Sequence, residues 1–244
     1  MIEISIPVYN EDKNISKQVK VITTYISQNL EKYQPIFLTL CDNGSTDQTK
    51  EIIQQIKEEN PQIKYLYTKE KGIGWALKNS WKNSDADIIG FMDLDFSTDL
   101  IHLKDTFDLL ENNYDLVSGS RLLNKSKVIN RSILRSFISY NYNLILKIVF
   151  KNKFSDGACG FKFMKRSTYN KINNFCNLDN GFFFTTQLLI IAEFLKIHIY
   201  DLPVKWTDDK DSKIKIIFTI IEYLISIYKM KKILYQNLKL DNEN

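Results

Sequence analysis

The chain is poor in the residues that mark specialised protein classes. Its 244 residues include only 4 Pro, 8 Gly, 3 Cys and 2 His. So little Gly and Pro excludes collagen-like and low-complexity chains. Cys41, Cys159 and Cys176 show no Cys-x-x-Cys spacing, which argues against a zinc site and a disulfide framework and fits a reducing compartment. His102 and His198 stand without a neighbouring Cys, so structural roles are expected. No apolar run reaches the ~18 residues that a spanning helix needs. The best candidate, from Ile214 to Tyr228, is interrupted by Lys215 and Glu222; it can touch a membrane but is not expected to cross one. The opening MIEISIPVYNE has neither a basic region nor a long apolar one, so no secretory leader is expected.

What is present is an ordinary globular composition, 44% hydrophobic and 25% charged. The length suits one domain or a domain with a small appendage. Charge is unevenly spread. Residues 1–123 carry 13 Lys/Arg against 19 Asp/Glu, residues 124–171 carry 11 against one, and the remainder is balanced at nine each. A basic block of that density predicts an anionic counterpart (nucleic acid, a phosphorylated substrate or an acidic membrane surface) or else a solvated positive face.

Short apolar runs alternate with amphipathic stretches over the first 120 residues. Strands are expected at Ile2–Val8, Ile36–Cys41, Ile63–Tyr67, Ile88–Met92 and Leu116–Ser118. Between them, helices are expected from Asp12 to about Leu30, from Ser45 or Thr46 to a stop before Pro61, over Gly72–Lys82 and over about Asp99–Glu111. This alternation predicts an α/β fold with a doubly wound, mostly parallel sheet, whose ligands bind beyond the carboxyl ends of the strands. Chemistry is therefore expected just after Val8, Cys41, Met92 and Ser118. Further on, Arg131–Phe150 reads as one or two surface helices, Phe161–Lys165 as a strand, Phe182–Leu195 as a helix, Ile197–Val204 as extended and Lys213–Leu234 as a long helix.

The sharpest chemical feature is FMDLDFSTD at 91–99. Asp93 and Asp95 end an apolar strand, where two carboxylates can hold a hard divalent cation and leave positions for phosphate oxygens; alternatively they are solvated turn residues. In CDNGSTDQT (41–49), Asp42 can accept hydrogen bonds from a base or ribose, while Ser45, Thr46 and Asp47 suit helix capping. SIPVYNE (5–11) offers Pro7, Tyr9 and Glu11 for stacking on and bonding to a planar base. Trp75, Trp81 and Trp206 read as core or pocket walls.

SIPVYNE, DNGSTDQT, KGIGWALKNS, MDLDFSTD and SGSR follow one another in an order and spacing that resembles family 2 glycosyltransferases. DGACGFKFM (156–164) and LPVKW followed by DSK (202–213) resemble the dolichyl- or polyprenyl-phosphate mannosyl- and glucosyltransferases within that family. The resemblance covers about residues 2–213. It implies a GT-A-like nucleotide-sugar fold, inverting hexose transfer from a GDP- or UDP-linked donor, and Mg²⁺ or Mn²⁺ on Asp93 and Asp95. It also implies nucleoside contacts from Pro7, Tyr9, Glu11 and Asp42, a phosphate contact from Arg121, and Lys213 closing over the diphosphate. The expected acceptor is a polyprenyl phosphate; a saccharide hydroxyl in cell-surface polysaccharide synthesis is the alternative. Nucleic acid is not an expected partner.

Two departures from the family pattern matter. Thr185 and Gln187 stand where a D-x-E is usual, and neither can act as a base near neutral pH. A phosphate acceptor is already ionised and needs none, so the substitution favours a lipid phosphate or else impairs activity. Phe96–Ser97 also replaces the usual Gly and Gln or Ser after the second aspartate.

Arg131 and Arg135 lie one helical turn apart on an apolar-rich stretch, which suits the headgroup region of a membrane with cations near acceptor phosphates. Alternatively Ile133, Leu134, Phe137 and Ile138 pack in the core or in a homo-oligomer interface. The expected organisation is a catalytic domain over 1–213, with a basic helical insertion at 124–153, and a C-terminal helix and polar tail over 214–244. Its expected place is the cytoplasmic face of a membrane, peripherally attached. A phosphatase of the haloacid-dehalogenase type is disfavoured because no later G-D-x-x-x-D follows DLDFST. A non-catalytic nucleotide-sugar binder has only the altered FFFTTQLL helix for support.

Overall fold

A computed structural model describes residues 1–175, 177–208 and 216–243. The elements, in chain order, are β1 (Ile2–Val8), α1 (Ile15–Asn29), β2 (Ile36–Asp42), α2 (Thr49–Glu59), β3 (Ile63–Tyr67), α3 (Ile73–Lys82), β4 (Ile88–Met92), α4 (His102–Asn112) and β5 (Leu116–Ser120). They continue with β6 (Lys127–Ile129), α5 (Ile133–Phe150), β7 (Phe161–Lys165), α6 (Arg166–Phe175), α7 (Phe184–Phe194), β8 (Ile199–Pro203), β9 (Lys205–Thr207) and α8 (Ile216–Glu243).

The main sheet has the order β3-β2-β1-β4-β7-β5-β8. Every neighbouring pair is parallel except those of β7, which runs antiparallel to both β4 and β5. The β1–β4 ladder ends at Ser5↔Phe91, while β1 continues beside β2 to Val8↔Asp42. Beyond Ser5, therefore, the ends of β1 and β4 are not tied together, and the chain turns that carry Tyr9 and Asp93 begin there.

Strand β1 shows how the sequence builds the layers. Ile2, Ile4, Ile6 and Val8 alternate into one core with Val19, Ile22 and Ile26 of α1 and Leu103 and Phe107 of α4. A second core, on α3, α6, α7 and α8, gathers Trp81, Ile172, Leu188, Ile227 and Met230. Period-two alternation thus places apolar side chains against helices on both sides of the sheet. Between them, buried Glu3 is satisfied by Thr39 Oγ1 at 2.8 Å, Lys64 Nζ at 2.9 Å and Ser80 Oγ at 3.1 Å, as a buried carboxylate requires.

Several sequence expectations shift. Helix α1 begins at Ile15 and not at Asp12, because Glu11 O takes the first amides, Asn14 N and Ile15 N. None of the three expected residues occupies the N-cap of α2, which is Gln48; Asp47 accepts from Thr49 N at 3.0 Å from the position before it, and Ser45 Oγ and Thr46 N instead hold Asn10. Helix α6 and the two-stranded β6–β9 pair were not expected from the sequence. The basic block does not form one face: Lys162 is fully buried in β7, and Arg135, Lys165 and Arg166 pair with Asp208, Asp115 and Asp85.

Candidate active site

A cleft of about 1320 Å³ opens beyond the ends of β1, β4 and β5. Of the residues expected from the sequence, Pro7, Tyr9, Glu11, Asp93, Asp95, Arg121, Arg131 and Arg135 line it. Asp42 does not. Its carboxylate is wholly buried and accepts from Ser45 N and Tyr65 Oη, each at 2.9 Å; in this conformation it shapes the turn after β2 and does not present itself to a ligand. Lys213 lies outside the described residues.

The carboxylate pair sits where β4 ends. Asp95 is exposed and is oriented by Ser97, whose N–H and hydroxyl both donate to it at 2.8 Å. Asp93 is partly enclosed, and burial together with the neighbouring Asp95 charge pushes its pKa up to about 7, against the opposing pull of Arg121 and Lys162. Gly160 packs so closely that an added Cβ would collide with the Asp93 carboxylate. Phe96, between Asp95 and Ser97, adopts φ 54°, a left-handed conformation that is costly for an aromatic residue and easy for the glycine usual in the resembling family.

These residues suit a hard divalent cation. Among the described residues no cluster of three or more His, Cys, Asp or Glu could enclose a metal by itself. The chain thus offers two carboxylates and leaves remaining positions to phosphate oxygens and water, as Mg²⁺-type sites do. A repelling pair, one member of which holds a proton near neutrality, is what a cation would relieve.

The sign of the resulting pH effect is fixed. Asp93 titrates near 7 in the fold and near ~3.9 in the unfolded chain. Its contribution is intact below ~pH 4, declines as pH rises, and is lost above ~pH 7. Asp93→Asn, which cannot ionise, is expected to melt at least ~3 °C above the wild type at pH 8 without divalent cation and within ~1 °C of it at pH 4. Scanning calorimetry at the two pH values checks this; an equal difference at both would contradict it.

Cationic groups face the pair across the cleft. Arg121, following β5, makes a bidentate pair with Asp156, Nε to Oδ2 at 2.7 Å and Nη2 to Oδ1 at 2.8 Å. The same carboxylate accepts Arg121 N at 3.1 Å, and the Arg121 charge holds the Asp156 pKa down at about 2 despite burial. The guanidinium lies 4.8 Å from the Trp206 ring. Lys162 is buried beneath, donating to Gly157 O at 3.2 Å and Cys159 O at 2.6 Å, and so fixes the loop that supplies Asp156. Cys159 itself is inert: burial pushes its thiol up to about 12. Arg131 is largely enclosed, with Nε and Nη1 lacking a hydrogen-bond partner among the described residues. Arg135 pairs with Asp208 at 2.8 Å.

On the β1 side, Lys71 Nζ donates to Tyr9 Oη at 2.7 Å. Gly72, at φ 145°, gives its N–H to Asn43 Oδ1 at 2.9 Å, and a Cβ there would strike Asn180 O. The loop from 68 to 72 thus closes one flank where Tyr9 and Glu11 face the cleft.

The opposite flank is built from α5, α7 and α8, through Tyr142, Thr185 and Tyr223. Gln187 turns away from the cleft, accepting Asp179 N at 2.6 Å. Tyr142 Oη lies 2.7 Å from Thr186 Oγ1, which donates to Gly157 O; α5 and α7 are thereby locked to the Asp156 loop. Sequence reasoning assigned no role to Asp156, Lys162 or Tyr142. The first two lay within DGACGFKFM, which offered a signal through its two charged residues.

The profile of Glycosyl transferase family 2 matches residues 3–172. Glycosyltransferase AglD of Haloferax volcanii is 25% identical over 225 residues, covering 90% of this chain and 35% of that protein. Dolichyl-phosphate beta-glucosyltransferase ALG5C of Trichomonas vaginalis is 28% identical over 231 residues, covering 86% of this chain and 65% of that protein. The chain therefore spans about a third of the first and just under two thirds of the second. Among solved structures, glucosyl-3-phosphoglycerate synthase of Mycobacterium tuberculosis, crystallised with Mn²⁺, UDP-glucose and phosphoglyceric acid, superposes with a TM-score of 0.68 at 16% identity, covering 93% of this chain and 79% of that one. At that identity the likeness is one of fold, and the fold is of the GT-A type.

Proposed function

Because the chain belongs to glycosyl transferase family 2, we propose that it transfers a hexose, with inversion, from a UDP- or GDP-linked sugar to the phosphate of a polyprenyl lipid at a membrane surface. One observation carries the choice of acceptor. The cleft presents Arg121 together with Arg131 donors that have no hydrogen-bond partner among the described residues; besides the Asp93–Asp95 pair, the described carboxylates that line it are Glu11, on the nucleoside flank, and Asp208. Asp208 is engaged by Arg135, Gln187 faces away, and Thr185 stands at the wall. An acceptor that arrives already ionised needs no base.

In this reading Pro7, Tyr9 and Glu11 hold the nucleoside, and Asp42 shapes the turn beneath it. Asp93 and Asp95 hold Mg²⁺ or Mn²⁺, which when bound neutralises charge developing on the departing diphosphate. Arg121, kept in place by Asp156, faces the same charge, and Arg131 receives the acceptor phosphate. Arg135 sets the mouth of the cleft through Asp208. Lys213 is assigned to the diphosphate on the sequence resemblance alone.

The membrane assignment rests on α5. Its inner face mixes polar Ser139 and Asn143 with the core residue Leu146, and its outer face is apolar: Ile133 is 90% exposed, Phe137 65% and Ile148 69%. On α8, Leu224, Ile225 and Tyr228 are also exposed. Among the described residues no helix is long and apolar enough to cross a membrane, so this surface suits peripheral contact, with Lys147 and Lys151 exposed beside it. The free thiols Cys41 and Cys159 suit the cytoplasmic face. Ile133→Glu with Ile148→Glu is expected to reduce sedimentation with anionic vesicles at least ~10-fold while leaving turnover of a short, water-soluble isoprenyl phosphate within ~2-fold; unchanged sedimentation would remove the membrane assignment.

The function itself is tested by incubating the full chain with labelled UDP- and GDP-hexoses, polyprenyl phosphate and Mn²⁺. A lipid-extractable glycosyl product that disappears with chelator is expected. No such product from any common donor would defeat the proposal.

A further inference from the structure

Trp206 reads from sequence as a wall, and its ring does cover Arg121. Its indole nitrogen is less easily dismissed. The residue is only 6% exposed, it lines the cleft, and Nε1–H has no hydrogen-bond partner among the described residues. Leaving a buried donor unpaired is costly, and an indole can only donate. Among the described residues, the other buried side-chain donors without partners on the cleft wall are Arg131 Nε and Nη1 and the Ser139 hydroxyl on α5.

The chain brings Trp206 and Arg131 together by the β6–β9 pair. Val128 is in register with Trp206, and Ile129 with Thr207; Arg131 follows two residues after Ile129. Arg121, under the Trp206 ring at 4.8 Å, is close enough to Arg131 to lower that guanidinium's pKa together with burial. Two cations forced together beside an unpaired N–H donor, with only one of the cations matched by a carboxylate, form a receptor for an anion that accepts several hydrogen bonds.

We propose that Trp206 is a phosphate-recognising residue of this cleft, its Nε1–H donating to a phosphate oxygen held also by Arg121 and Arg131, while its ring keeps the Arg121 guanidinium in position. The inference deepens the transfer reading and rests on it only for the identity of the phosphate: either the lipid acceptor's or the donor's diphosphate supplies the same oxygen chemistry.

The test uses the fact that the chain has only three tryptophans. In the full chain labelled with ¹⁵N-indole tryptophan, Trp81 Nε1–H is internally bonded to Ser5 Oγ at 3.1 Å and Trp75 is exposed, so Trp206 is identified by the signal lost in Trp206→Phe. A water-soluble isoprenyl monophosphate, or a nucleoside diphosphate with Mg²⁺, is titrated in separate arms, with the uncharged isoprenol as control. A saturable downfield shift of the Trp206 signal in either phosphate arm, absent with the isoprenol and with Trp81 unmoved, is expected; the responding arm identifies the source. In Trp206→Phe, which keeps a ring over Arg121, KM or Kd for that ligand should rise ~10-fold or more with kcat changed much less.

A Trp206 signal that stays put while other resonances report binding would overturn the inference, as would an unaltered KM in Trp206→Phe. Failure here with lipid-linked product still formed leaves the transfer reading standing. A Trp206 shift without any transfer does the reverse.

Discussion

Asp95→Ala should reduce glycosyl transfer by ~10³-fold or more, close to background, while the protein melts within ~1 °C of the wild type. The argument is one of position. Asp95 is exposed, its known partners are the Ser97 amide and hydroxyl, and it packs under nothing, so folding loses little. Removing half of a two-carboxylate metal set weakens the electrostatic stabilisation of the departing diphosphate, a contribution of roughly 4 kcal/mol or more. A secondary effect follows in the same variant. With the Asp95 charge gone, one of the two influences that raise Asp93 disappears, and Asp93 should titrate lower than in the wild type. Steady-state turnover at saturating Mn²⁺ and a carboxyl ¹³C titration measure the two effects. Retention of more than ~10% of the activity would show that the pair does not carry the metal.

The second large effect concerns folding. Asp156→Leu strands the Arg121 guanidinium in a site where its side chain is 8% exposed and its partner was wholly buried. Breaking a buried pair by removing one member costs about 3–5 kcal/mol, which for a chain of this size is a fall in Tm of roughly 10 °C. The double variant Arg121→Met with Asp156→Leu removes the isolated charge and should recover most of that loss, yet turn over far more slowly because the Arg121 charge no longer faces the departing diphosphate. Denaturant unfolding of the two variants beside turnover separates the roles. If the double variant were as unstable as the single one, the pair would not be the source of the penalty. Since the Arg121 charge holds Asp156 near a pKa of 2, the stabilisation from this pair is present above ~pH 4 and is lost only as pH falls through about 2.

How far the sequence disclosed this site depended on whether a feature is local. Strands β3, β4 and β7 were legible to the residue because apolar runs bounded by turn residues report burial directly. The placement of Asp93 and Asp95 followed from the end of β4, and chain position after β1 and β5 brought Tyr9 and Arg121 into the same cleft. Features that depend on a distant partner were not legible. The antiparallel β7 between β4 and β5 is set by packing in three dimensions, not by its own alternation. Nothing in the three-residue segments β6 and β9 announces that they pair.

Asp42 illustrates the same limit for a side chain. Its residue type and place after β2 suggested a ligand contact, but Tyr65 from the adjoining β3 takes up the carboxylate. Charge counting failed at Lys162 because composition cannot separate a lysine bonded to buried carbonyls from an exposed one such as Lys151. Helix α5 mixes the two patterns: Leu146 enters the core as expected, but Asn143 is also turned inward to hold Gly157 N at 2.8 Å and Phe137 is turned outward. Apolar content alone left core, interface and lipid as alternatives for it.

The central claim is that the acceptor brings its own negative charge to a cleft lined with cations and needs no base there. Matched initial rates with polyprenyl phosphate and with the corresponding polyprenol, at saturating donor and Mn²⁺, test it most directly. Product from the phosphate alone, at a rate nearly independent of pH once its second ionisation is complete, is the predicted result. Comparable transfer to the free alcohol or to a saccharide hydroxyl would contradict it.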